Sequence, residues 1–333
     1  MRHTIILLIV FGAFQVTNAG WRRLNTNTLA WLKTIHFSDA ENGWIGGTHG
    51  TLLKTADGGR TWRQRARFTE DTIRQVHFFS KSTGWLLCER NVYTLGSKSP
   101  SYLLKTTDGG ENWTQIDFEN KQRQRITNIF FANSGFGLAV GETGALFGLE
   151  DDNYSWKKLL APSRYLILGG SFSDNLRGTI VGGGGTIFFT EDAGASWNPA
   201  YVSGKTRSKL NSVYFADAKH GWAVGSKGKI YQTVNGGRFW RAQRSNISEN
   251  LNDVFFSNTA NGWAIGDNGV ILKTTSGGNV WKPVRFNSRH KLEKIVFNGK
   301  KGWIVGFGGT IAYYEPENMS SAIRPKFNTR YKK

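Results

Sequence analysis

Apolar residues fall in short runs along this chain and never recur at helical spacing for as many as ten residues. From Thr34 it reads Thr34-Ile35-His36-Phe37, a polar stretch to Gly43, then Trp44-Ile45-Gly46-Gly47. The turn Thr48-His49-Gly50 follows, then Thr51-Leu52-Leu53-Lys54-Thr55, then Asp57-Gly58-Gly59, and then Trp62. Short β-rich runs bounded by Gly, Asp and Asn predict three strands, with a fourth beginning at the tryptophan.

The unit is copied. Trp21, Trp62, Trp113, Trp156, Trp197, Trp240 and Trp281 follow one another at intervals of 41, 51, 43, 41, 43 and 41 residues. Each is followed 16 or 18 residues later by a phenylalanine: Phe37, Phe78, Phe131, Phe172, Phe215, Phe256 and Phe297. Four antiparallel strands per forty-odd residues, seven times over, predict an all-β, seven-bladed β-propeller. The last unit has Gly302-Trp303 but no closing tryptophan after Tyr314, while Trp21 has no unit in front of it. The N-terminal strand is therefore expected to be the fourth strand of the last blade, which closes the ring and removes two exposed sheet edges.

Before the closing tryptophans a second pattern recurs, as Thr55-x-Asp57-x-Gly59-x-Thr61-Trp62, again to Asp108, Gly110 and Trp113, and again to Asp192, Gly194 and Trp197. Asn235 and Ser276 replace the acid in two later copies, and the third copy is eroded around Asp151 and Trp156. This is the Asp-box. The short acid is expected to accept backbone N–H bonds within its turn, the glycine to take a left-handed conformation and the tryptophan to plug the blade. Since Asn and Ser still accept such bonds without being carboxylates, a structural role is expected rather than catalysis or metal binding.

The combination of Gly-Trp-x-x-Gly, a short turn and Leu-Leu-Lys-Thr-x-Asp-Gly-Gly-x-x-Trp resembles the photosystem II stability/assembly factor family over Trp21 to Tyr314. That resemblance implies an exported propeller that acts as a chaperone-like scaffold, whose photosynthetic members bind a precursor reaction-centre subunit and carry an arginine-rich patch. The chain departs from cyanobacterial members in lacking a cysteine at the leader for lipidation.

Composition adds the compartment. Residues 1–19 run from Arg2 and His3 through the apolar Ile5 to Phe14 to small residues ending at Ala19, the form of a secretory signal peptide. Export to a periplasm, a thylakoid lumen or the medium is expected. The propeller is expected over residues 20–315 and a flexible basic tail over 316–333. Cys88, the only cysteine, lies in an apolar run and is expected to be buried and inert.

Charge adds a surface. The net charge is +19, and the stretches between each closing tryptophan and the next phenylalanine hold 23 Lys and Arg against 7 Asp and Glu. Linkers between blades and the hairpins between second and third strands should open on one face, with the Asp-box hairpins on the other. A basic ring of Arg67, Arg74, Arg123, Arg125, Arg164, Arg207, Lys209, Arg244, Arg289 and Lys291 is expected to capture an acidic or membrane-protein client, with an anionic membrane surface as a further contact. An insertion of about ten extra residues, within Asn91 to Ser101, falls on that face.

No catalytic, cofactor or metal site is expected. A sialidase-like hydrolase or carbohydrate-binding propeller is the alternative, but the Phe/Tyr-Arg-Ile-Pro motif near the start of sialidases is absent. Gly204-Lys205-Thr206 lacks the P-loop glycine, Pro199 standing in its place. His36 and His77 occupy a position where Phe130 and Tyr214 stand in other units, so packed histidines are expected. Nucleic acid does not suit an exported chain, and a monomer is expected.

Overall fold

The computed structural model describes residues 20–315 apart from 92, 94, 95, 97, 119–122, 134, 150–154 and 205–206. The expected leader, the basic tail, Asp151 and Lys205 lie outside the described residues.

Seven antiparallel sheets form the seven blades. Their innermost strands are Leu32–Phe37, Thr72–Phe78, Ile126–Asn133, Ile167–Phe172, Leu210–Phe215, Leu251–Phe256 and Leu292–Asn298, and adjacent innermost strands contact one another around the ring. Blade 7 takes its outer strand from the other end of the chain: Gly20–Leu24 pairs with Ile311–Glu315, Trp21 standing opposite Tyr314 and Leu24 opposite Ile311. The ring closes by this clasp, as the orphan Trp21 predicts.

Each recurring phenylalanine pairs with the glycine of the Gly-Trp position, as Phe37 does with Gly43 and Phe256 with Gly262. The reason is space. A Cβ on Gly43 would lie 2.7 Å from the Phe37 ring, and one on Gly262 would lie 2.4 Å from Phe256. The adjoining tryptophan then reaches the phenylalanine of the next blade. Trp44 stacks on Phe78 with ring centroids 3.6 Å apart, Trp222 on Phe256 at 3.4 Å, and Trp303 meets Phe37 at 4.5 Å. Trp44 and Trp222 are fully buried, so this motif is the cement between blades as much as the core within one.

Two details depart from the sequence-based expectation. Outer strands are short: that of blade 1 is Arg63–Gln64, beginning after its tryptophan. Blade 5 has a fifth strand, Tyr201–Val202, running parallel to Phe239–Gln243 along its outer edge. Pro199 cannot donate a ladder bond, and just past it the chain steps onto the neighbouring blade, where Tyr201 stacks on Phe239 at 5.4 Å.

Cys88 is fully buried, and burial pushes its thiol up to about 12. His36 and His77 meet at a tilt, ring centroids 4.6 Å apart, between blades 1 and 2, where the His36 Nε2–H donates to the Phe78 carbonyl at 2.8 Å. Burial lowers His36 to about 4 and His77 well below its usual value, so both are neutral.

Candidate binding face

Backbone bonds separate the two faces. On one, each Asp-box turn is tied to the first hairpin of its own blade: Gly58 N–H donates to the Glu41 carbonyl at 2.9 Å and Gly277 N–H to Ala260 at 2.8 Å. On the other, the second hairpin turn is tied to the interblade linker. Gly50 N–H donates to Asp71 at 2.7 Å, Gly228 to Glu249 at 2.7 Å and Gly309 to Ala30 at 2.8 Å. At Gly50, φ is +62° and a Cβ would lie 1.7 Å from the Thr69 carbonyl oxygen, so this turn requires glycine.

On the Asp-box face the carboxylates are consumed locally. Asp57 accepts from Thr55 Oγ1 at 2.7 Å, Thr61 N at 2.9 Å and Thr61 Oγ1 at 2.6 Å. Asp108 accepts from Thr106 Oγ1 and from the N–H of Glu111 and Asn112, and Asp192 from Thr190 Oγ1 and both donors of Ser196. Partial desolvation raises Asp57, but the bonds from Thr61 and Thr55 outweigh it and hold the group at about 2. Bonds from Ser196 and then Thr190 hold Asp192 at about 2, and those from Asn112 and Thr106 hold Asp108 well below the carboxylate range. Gly59, Gly110 and Gly194 all have positive φ and buried positions, while Trp62, Trp113 and Trp197 are half-buried behind them. Asn235 and Ser276 accept the equivalent N–H groups of Phe239 and Val280.

The linker face sorts the ten basic residues into three groups. Arg67, Arg74, Arg125 and Lys291 are paired with acids: Arg67 with Glu70 at 3.2 Å, Arg74 and Arg125 with Glu89 at 2.8 and 3.4 Å, and Lys291 with Glu293 at 3.6 Å. Arg123 anchors the insertion, donating from Nε to the Lys98 carbonyl at 3.2 Å and from Nη2 to Gly96 at 2.6 Å. Arg164, Arg207, Lys209, Arg244 and Arg289 are exposed, and none has an acid partner among the described residues.

The sequence reading overlooked one feature. Every innermost strand carries a β-bulge at the same place, at Lys33, Arg74, Thr127, Leu168, Asn211, Asn252 and Glu293. Bulges re-aim side chains. Here they link blades. Arg74 Nε donates to the Thr127 carbonyl at 3.0 Å, Asn211 Nδ2 to Leu251 at 2.7 Å and Asn252 Nδ2 to Leu292 at 2.8 Å. Lys33 Nζ closes the ring onto Glu293 at 3.0 Å, and burial lowers the Lys33 ammonium despite that partner. A polar cavity of about 400 Å³, lined by Lys33, Arg74, Asn128, Asn211, Asn252 and Lys294, occupies the channel beside this ring. The visible signal is a polar residue four positions before each phenylalanine, broken only by Leu168.

Known proteins place the chain. A family model described as Photosynthesis system II assembly factor YCF48 matches residues 14–163, 122–234 and 233–314. The photosystem II assembly protein Ycf48 of Synechococcus sp. (strain JA-3-3Ab) is 25% identical over 190 residues, which are 56% of this chain and 53% of the relative. The chain spans about half the length of the first curated relatives it matches. The structure of YCF48 from Cyanidioschyzon merolae aligns with a TM-score of 0.73 at 22% identity, over 90% of this chain and 100% of the other. A structure of YCF48 bound to D1 peptide aligns equally well, at 0.73 and 23% identity, over 91% and 99% of the two chains.

Proposed function

The chain belongs to the photosystem II assembly factor family of YCF48, and we propose that it is a non-enzymatic, exported scaffold holding an acidic segment of a protein client on its linker face. The observation that carries this reading is the set of exposed cations without acid partners among the described residues, Arg164, Arg207, Lys209, Arg244 and Arg289, spread over the linkers of successive blades. Guanidinium groups in that state lose little on meeting carboxylates, whereas those of Arg74 and Arg125 would first have to leave Glu89. A family structure that carries a D1 peptide supports a peptide client. The client of this chain is defined by charge and not by name. On this reading the Asp-box carboxylates act as turn locks and the half-buried pairs hold the scaffold rigid.

Capture of an acidic client peptide by the purified chain tests the proposal. Arg207→Glu with Lys209→Glu and Arg244→Glu should weaken capture at least about tenfold and flatten its salt dependence. The three side chains are exposed, so the fold should survive. Capture unchanged by the triple reversal would sink the reading.

A further inference from the structure

The seven junctions between blades are not equivalent. At two of them an aromatic side chain of the linker, five or six residues past one tryptophan, packs against the outer tryptophan of the next blade. Phe68 stacks on Trp113 with centroids 5.6 Å apart, and Phe118 lies 5.7 Å from Trp156. At the other five, Leu159, Val202, Ile247, Phe286 and Leu24 share a core cluster with Trp197, Trp240, Trp281, Trp21 and Trp62 respectively.

At the seventh junction, between the clasp of blade 7 and blade 1, the linker after Leu24 reads Asn25-Thr26-Asn27-Thr28. Leu24 and Ala30 share a cluster with Trp62, but no aromatic ring of this linker packs on it among the described residues. A cavity of about 670 Å³ stands there, with Leu24 and Leu53 as apolar lining and Trp62 as its aromatic wall. The linker is fastened by other means: Thr26 Oγ1 donates to the Gly309 carbonyl at 2.8 Å, and Thr28 Oγ1 accepts from Ala30 N at 3.1 Å. Asn27, exposed on the rim, stands six residues past Trp21, as Phe68 stands past Trp62. The buried Trp62 Nε1–H has no partner, but the same holds for Trp113 and Trp156, so the cavity and not the N–H marks this site.

The rim is cationic. Arg60 and Arg63 line the cavity, both are exposed, and no carboxylate lines it. Their neighbours Arg22 and Arg65 are committed to Glu315 and Glu111, whereas Arg60 and Arg63 have no acid partner among the described residues.

We propose that this slot is a peptide-binding site, distinct from the linker face, which takes an aromatic side chain flanked by carboxylates. The aromatic group would occupy the place that Phe68 and Phe118 fill from within the chain at their own junctions. The carboxylates would meet Arg60 and Arg63 in charge-assisted hydrogen bonds. A volume of this size accommodates one aromatic side chain with the residues on either side.

Fluorescence polarisation with a short, labelled, end-capped peptide bearing phenylalanine between two glutamates is the test. Saturable binding to the wild-type chain is expected, weaker by at least about tenfold when alanine replaces the phenylalanine. Asn27→Phe puts a ring where Phe68 stands at the next junction, so it should abolish the phenylalanine-dependent part of the binding while unfolding at or above the wild-type temperature. Arg60→Glu with Arg63→Glu, both exposed, is a second variant expected to weaken binding by a similar factor. Arg207→Glu with Lys209→Glu should leave the difference between the phenylalanine and alanine peptides unchanged, which separates this site from the proposed linker-face site. No saturable binding, an undiminished difference between the two peptides in Asn27→Phe, or loss of that difference on reversal of Arg207 and Lys209 would each overturn the proposal. So would saturable binding of a neutral oligosaccharide in place of the peptide.

Discussion

Trp21 stands opposite Tyr314 in the clasp, their rings 5.4 Å apart, and the edge of Trp263 from blade 6 reaches the same indole at 5.5 Å. Phe297, from the innermost strand of blade 7, completes the enclosure at 5.9 Å. One residue near the start of the described chain is thus gripped by two blades near its end. Trp21→Ala should cost about 3–5 kcal/mol, from lost apolar burial and the cavity left behind. Urea denaturation checks this; a midpoint equal to that of the wild type would show that the clasp carries no stability.

Acid should weaken the interface between blades 1 and 2. Burial holds His36 at about 4 in the folded chain, against the bond to the Phe78 carbonyl, which raises it. An unfolded histidine titrates near 6.5. Between those values the unfolded chain binds protons that the folded chain excludes, so stability falls as pH drops below about 6.5, and the loss is complete below about 4. His36→Phe with His77→Phe, matching Phe130 in blade 3, should remove this dependence. Denaturation midpoints at pH 7 and pH 5 measure it directly.

The Asp-box turns titrate lower. Asp57 and Asp192 are held at about 2 when folded, from a usual value of 3.8. Their stabilisation is complete above pH 4 and disappears as pH falls from about 4 to about 2. Both groups are largely exposed, so the effect is modest. Asp57→Asn should be mild at neutral pH, because Asn235 accepts the equivalent bonds. A thermal melt series from pH 5 to pH 2, wild type against Asp57→Asn with Asp192→Asn, should show the smaller fall in the variant.

Cys88 should not react in the native chain. Its thiol is fully buried and pushed up to about 12, so almost no thiolate exists at neutral pH and no reagent reaches it. Titration with a chromogenic disulfide should yield no thiol under native conditions and one after denaturation. Rapid native labelling would place Cys88 at the surface.

The repeat is legible in the amino-acid order because each blade solves the same local burial problem with the same residues. Gly43 must lack a side chain where the Phe37 ring lies over it, and Asp57 must accept the bonds of its own turn; both demands act within a few residues. Seven such units, an unmatched Trp21 and a missing final tryptophan are enough to infer the ring and its closure. The two faces follow from strand alternation alone.

Contacts between blades obey no such local rule. Trp44 meets Phe78, Arg74 meets Thr127, and Lys33 meets Glu293 where the ring closes. Linker composition presents Arg125 and Arg207 as equals, yet Glu89 and Glu142 lie beside Arg125 while Arg207 stands exposed. The slot at Trp62 exists because the clasp strand and blade 1 come together from separate parts of the chain, with Asn27 where another junction has Phe68. Periodicity along the chain therefore specifies the blade and the number of blades. Only closure of the ring decides which charges are neutralised and what lines the cavity beside Trp62, because those outcomes depend on side chains brought together from different repeats.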